Sequence, residues 1–210
     1  MPTSTVHLVV IFALASLAPA IVLTCTCFTR FVVVFSFLKS GLGTQGAPPN
    51  QVLVGLALFM TAFVMAPVGA EVYDAAGEPY FAGEIDEQGA IEQASPAIKR
   101  FLLPRTRQED LALFYEYTDD PRPETSADVP LRIAVPAFVL SELRTAFQMG
   151  LLVLLPFLVI DLVVATVLSS LGMVMLPPTL VSLPLKLLVF VMADGWHILV
   201  TSMLAGVAVT

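Results

Sequence analysis

Long apolar runs alternate with short polar breaks along this chain. Val6–Thr26 is almost wholly apolar and reaches about 20 residues, enough to cross a bilayer core as a helix. Phe28–Leu38 follows at once, bounded by Arg30 and Lys39. Gly41, Gly43, Gly46, Pro48 and Pro49 then break the helix. Asn50 is an N-cap candidate for the next run, Val52–Ala70. A further helix is predicted over Pro136–Leu171, polar only at its start, where Ser141, Arg144 and Gln148 share a face. Gly172–Pro178 reads as a turn, and Leu180–Val209 as the last apolar run. The prediction is an all-α membrane protein with four long hydrophobic helices. A helical extracytoplasmic segment lies between the second and third.

That segment has its own signals. Ser95-Pro96 reads as an N-cap followed by a first-turn proline. Thr106-Arg107-Gln108-Glu109 matches a capping box, in which the Thr oxygen takes a backbone N–H and the Glu reaches back. A helix from Arg107 to Tyr117 should follow, and Asp119–Pro130, with its prolines, reads as loop. The implied organisation is an N-terminal hydrophobic hairpin (1–70), an acidic segment (71–135) and a C-terminal hydrophobic hairpin (136–210).

Composition sharpens this picture. The chain has 210 residues, 57% hydrophobic and 13% charged, against about 25% charged in ordinary soluble domains. A net charge of −7 argues against nucleic acid, whose partners present basic patches. From Glu71 to Val135 there are 14 acidic and 6 basic residues, while the rest of the chain holds 3 acids and 4 bases. The acidic segment is therefore the water-facing part. The amino terminus lacks Lys and Arg, whereas the first connection carries Arg30 and Lys39. By the positive-inside rule that connection is cytoplasmic, and both termini and the acidic segment are outside. Ala18-Pro19-Ala20 loosely resembles a signal-peptidase site, but no basic residue precedes the run, so an uncleaved helix is expected. Cys25 and Cys27 lie in an apolar run and read as packing residues, without a disulfide or metal.

The candidate chemistry is the set of ionisable groups inside apolar helices. Each costs at least ~2.5–3.5 kcal/mol in hydrocarbon on insertion scales. Lys186, Asp194 and His197 fall within about a quarter-turn of one another on a helical wheel, so their face should avoid lipid. Glu142 and Asp161 mark the same for the preceding helix. Inter-helix pairing is the favoured reading, with Glu142–Lys186 as the pair and Asp161 satisfied by backbone or a neighbouring subunit. A proton or ion pathway through Asp161, Lys186 and Asp194 is the alternative, and would make the chain a secondary transporter or ion channel. Catalytic motifs, cofactor loops and metal clusters are absent from the pattern. Ser202-x-x-x-Gly206 is a small-xxx-small match that would let helices approach closely.

Several stretches taken in order resemble one family. They are Phe28-Thr29-Arg30, Gly41-Leu42-Gly43-Thr44, Ala47-Pro48-Pro49-Asn50-Gln51-Val52-Leu53 and Gly55-Leu56-Ala57-Leu58-Phe59. Arg105–Phe114, Ser141–Gly150, Pro156–Val163, Pro177-Pro178, Ser182–Leu187 and Ala193-Asp194-Gly195-Trp196 continue the likeness to about Val200. The chain resembles the FliP family of flagellar and type III secretion export gates. The resemblance implies a non-enzymatic homo-oligomer, typically a pentamer, assembled with the companion proteins FliQ and FliR in the bacterial inner membrane. It implies a pore for unfolded protein substrates at a flagellar basal body or injectisome, the flagellar system being favoured. It also implies a methionine-rich turn acting as a pore gasket, here Met173, Val174 and Met175, with valine at the middle position. Methionine is unbranched and adaptable, which suits a seal around varied chains.

Overall fold

The structure is a computed structural model that describes residues 16, 19–44, 46–118, 123, 125, 128–173 and 175–208. Among these, all regular structure is helical. The helices are α1 (Pro19–Cys25), α2 (Phe28–Leu42), α3 (Asn50–Val72), α4 (Glu78–Ala82), α5 (Glu87–Leu102), α6 (Gln108–Glu116), α7 (Leu131–Ser170), α8 (Pro178–Met192) and α9 (Gly195–Ala208). The chain is an all-α membrane protein. Asn50–Ala82, 33 residues, and Leu131–Ser170, 40 residues, are each long and apolar enough to cross a membrane. Two more candidate spans are bent pairs, α1 with α2 at 80° and α8 with α9 at 63°. The last apolar run is thus two helices, not the single one its hydropathy predicts. Residues 1–15 of the first run, and most of the 119–130 loop, lie outside the described residues.

The chain divides into two compact units. One holds the described residues up to Thr29 and from Met65 to Glu142, the other those of Arg30–Val64 and from Leu143 onward. In the first, Leu111, Tyr115, Val129, Ile133, Ala134 and Ala137 form a buried cluster, with Leu103 and Phe114 packed against it. This core is the amphipathic face of α6 laid on the start of α7.

Helix boundaries here depart from the local sequence signals. The N-cap of α5 is Asp86, whose carboxylate accepts from Gly89 N at 2.8 Å. Pro96 therefore sits inside the helix, and Ser95 bonds back to Ile91 O at 2.8 Å. The Thr106 capping box does not form. Thr106 Oγ1 donates to Leu102 O at 2.8 Å, and Arg107 is the N-cap of α6, without a side-chain cap of its own. The cap comes from α7. Ser141 Oγ accepts from Arg107 N at 3.0 Å and donates to Asp110 Oδ2 at 2.6 Å. Asp110 is only 1% exposed, and it stands in the first turn, where the helix dipole favours an acid. A long-range cap beat the local one because it also satisfies two buried polar groups.

In the second unit, α2 buries Phe31, Val34, Phe35, Leu38, Gly41 and Leu42, a stripe at helical spacing. Glycines let aromatic rings close the α2–α7 packing. A Cβ on Gly150 would stand 2.3 Å from the Phe37 ring, and one on Gly41 would stand 2.6 Å from the Phe157 ring. The buried face of α8 is Ser182, Lys186 and Phe190, while Leu180, Leu185, Leu188, Val191 and Met192 are exposed. That arrangement, polar inward and apolar outward, is what a lipid-facing helix requires.

Candidate functional site

The buried face of α8 builds the first part of the site. Lys186, 3% exposed, donates from Nζ to Asp161 Oδ2 of α7 at 2.6 Å and to Gly41 O of α2 at 2.9 Å. Ser182, fully buried, donates to Asp161 Oδ1 at 2.5 Å. One ammonium thereby joins three helices. The Gly41 carbonyl is in the last turn of α2, where it has no intrahelical partner and lies at the negative end of the dipole. The lysine cancels the carboxylate and that partial charge together. Gly43 follows at φ 72°, and its N–H returns to Ser40 O at 3.2 Å, ending the helix and exposing the Gly41 carbonyl to the lysine.

A second buried cation repeats the device. Arg30, 3% exposed at the start of α2, donates from Nη1 to Gly206 O in the last turn of α9 at 2.8 Å. A Cβ on Gly206 would meet Arg30 Nη1 at 3.5 Å, an ordinary van der Waals contact. Arg30 is therefore a buried helix residue and not part of a connection. The positive charge at that end of the first hairpin rests on Lys39.

These contacts correct the expected pairing. The partner of Lys186 is Asp161, where the sequence reading puts Glu142. Asp161 is satisfied within its own chain by Lys186 and Ser182, without recourse to a neighbour. Glu142 is 1% exposed and belongs to the other compact unit. The common face of Lys186, Asp194 and His197 is also lost, because the helix breaks between them. Lys186 is buried, whereas Asp194 and His197 are exposed in the single chain. Asp194 takes φ 50°, a left-handed conformation that Asp tolerates better than most residues, and its carbonyl accepts from Ile198 N at 3.1 Å to start α9. A Cβ on Gly195 would lie 2.3 Å from the Phe190 ring, which also packs edge-on against Trp196 with centroids 5.4 Å apart. The bend is thus held by aromatic packing on a glycine.

The gasket candidates lie between α7 and α8. Gly172, at φ 76°, gives its N–H to Ser169 O at 3.1 Å, and Met173 N returns to Leu168 O at 3.0 Å. These two bonds make a Schellman closure that fixes where the turn leaves α7. Met173 is 48% exposed and Met175 96%. Val174 lies outside the described residues. Sequence reasoning missed Arg30, Gly41 and Ser182. Arg30 and Ser182 carried a usable signal, since each is a polar residue inside an apolar helix.

No group of three or more His, Cys, Asp or Glu able to hold a metal occurs among the described residues. Comparison with known proteins gives a single family. The profile of the FliP family matches residues 11–203. The flagellar biosynthetic protein FliP of Bacillus subtilis (strain 168) is 50% identical over 202 residues, covering 96% of this chain and 91% of that protein. Proteins of the same description are 48% identical in Pectobacterium carotovorum (96% of this chain, 78% of that protein) and 48% identical in Caulobacter vibrioides (94% and 74%).

Proposed function

Because the chain belongs to the FliP family, we propose that it oligomerises with the companion proteins FliQ and FliR into the pore through which unfolded substrates leave during flagellar export. As a family member it is a flagellar biosynthetic protein, a membrane component of flagellar export. The oligomer sits in the bacterial inner membrane, most simply as a pentamer, with the acidic stretch 71–135 on the extracytoplasmic side. It acts by conducting chains and not as an enzyme.

One observation carries this reading. The turn of residues 171–177 is apolar and uncharged, joins two apolar helices, and leaves Met175 almost fully exposed. Irregular backbone amid such segments is tolerated at membrane depth only where it is buried in protein or lines a cavity. Copies of the turn arranged around an axis meet that condition, and Met173, Val174 and Met175 then ring the conduit as an adaptable seal. The intramembrane charges suit this role better than ion relay. Asp161 and Lys186 are engaged with each other and with Ser182 and Gly41, which locks helices behind the turn.

Ion conductance of the assembled complex tests the seal. Replacing Met173 and Met175 together by serine should raise leakage several-fold while the complex still assembles. Unchanged conductance in an intact complex would remove the gasket from this turn.

A further inference from the structure

We infer that the pocket between the end of α2 and the start of α3 binds the phosphate headgroup of an anionic membrane phospholipid. The pocket encloses about 620 Å³, within the range of ordinary small-molecule sites. Its lining mixes two chemistries. Val32, Phe35, Leu53 and Val54 are apolar, and Ser36, Lys39, Ser40, Thr44 and Asn50 are polar. This is the combination a lipid needs, apolar side chains for an acyl chain and polar ones for a headgroup.

The polar side chains have unspent capacity for an anion. Lys39 Nζ donates to Asn50 Oδ1 at 2.6 Å, and among the described residues no carboxylate pairs with it. An ammonium has three donors, so further ones remain. Thr44 Oγ1 is buried and meets no partner among the described residues. A buried hydroxyl without a partner costs free energy that a phosphate oxygen would recover. Three of the last α2 carbonyls are already engaged, Gly41 O by Lys186 and Lys39 O and Ser40 O by Gly43 N. The first turn of α3, opening at Asn50, adds the positive end of a helix dipole.

A lipid fits better than a free phosphate because of position. The polar residues stand where a long apolar helix begins, beside exposed Val52, Val54 and Leu58. That is the level at which headgroups lie, and basic pockets between membrane helices are a recurrent site for them. The inference goes beyond the export reading and does not depend on the pore.

The test is native mass spectrometry of the full-length purified protein, titrated with phosphatidylglycerol and separately with inorganic phosphate. One lipid should bind per chain. Lys39→Gln should weaken it about fivefold, the worth of one basic contact near an anionic surface, and Thr44→Val about fivefold, the net worth of one hydrogen bond. Lys39→Arg should stay near the native affinity, which keeps the test decisive if Lys39→Gln fails to fold. Equal lipid affinity in all variants would overturn the inference, as would inorganic phosphate binding as tightly as the lipid.

Discussion

Lys186 Nζ stands 2.6 Å from Asp161 Oδ2, and this contact ties α8 to α7. Removing one member strands the other charge in a low-dielectric site, whereas removing both leaves no unpaired charge. Breaking such a pair from one side costs about 3–5 kcal/mol, and replacing both members by apolar groups is often neutral. The Asp161 side chain is 29% exposed, so the low end applies. We therefore predict that Lys186→Met lowers stability by about 3 kcal/mol and that Lys186→Met with Asp161→Leu recovers most of it. Thermal unfolding of the detergent-solubilised protein reads both. The charge exchange Glu142→Lys with Lys186→Glu should give no rescue, since Asp161 is the carboxylate that holds Lys186.

At the bend between α8 and α9, Gly195→Ala should drive a methyl into the Phe190 ring. Overpacking of this kind costs about 1–3 kcal/mol. Phe190→Ala in the same chain should relieve the clash, so the double variant should fall less than the sum of the two single losses. Strict additivity in thermal unfolding would place the two residues out of contact.

The cap of α6 separates two readings of one sequence motif. Ser141→Ala removes an acceptor for Arg107 N and a donor to the buried Asp110 carboxylate, so it should cost about 1–3 kcal/mol. Glu109→Ala should cost less than Ser141→Ala, because the N-cap at Arg107 is held by Ser141 and has no local side-chain cap. Proteolysis of the 106–118 region under native conditions would rank the two, and the reverse order would restore the local capping box.

Hydropathy made the apolar runs readable because each must satisfy its own backbone in lipid, and only helices do so with one segment. It could not show the breaks. The bend at Ala193-Asp194-Gly195 depends on a ring seated on a glycine, a tertiary fact with no periodic signature. The capping box failed for a similar reason, because Ser141 lies far along the chain from Arg107 and brings a buried acid with it. Asp161 and Lys186 are both legible as charges that must avoid lipid, but nothing in the hydropathy pattern marks them as each other's partner. They stand at comparable distances before and after the Gly172 turn, which a hairpin brings level. Glu142 is roughly five turns further from it. Arg30 reads in the sequence as a marker of sidedness, whereas its burial makes it a helix clamp.

The account rests on copies of this chain surrounding a shared conduit. Its most direct test is the mass of the complex purified in detergent after coexpression with the two companion membrane proteins. The prediction is a particle containing several copies of this chain together with both companions. A preparation that stays strictly monomeric in their presence would contradict it.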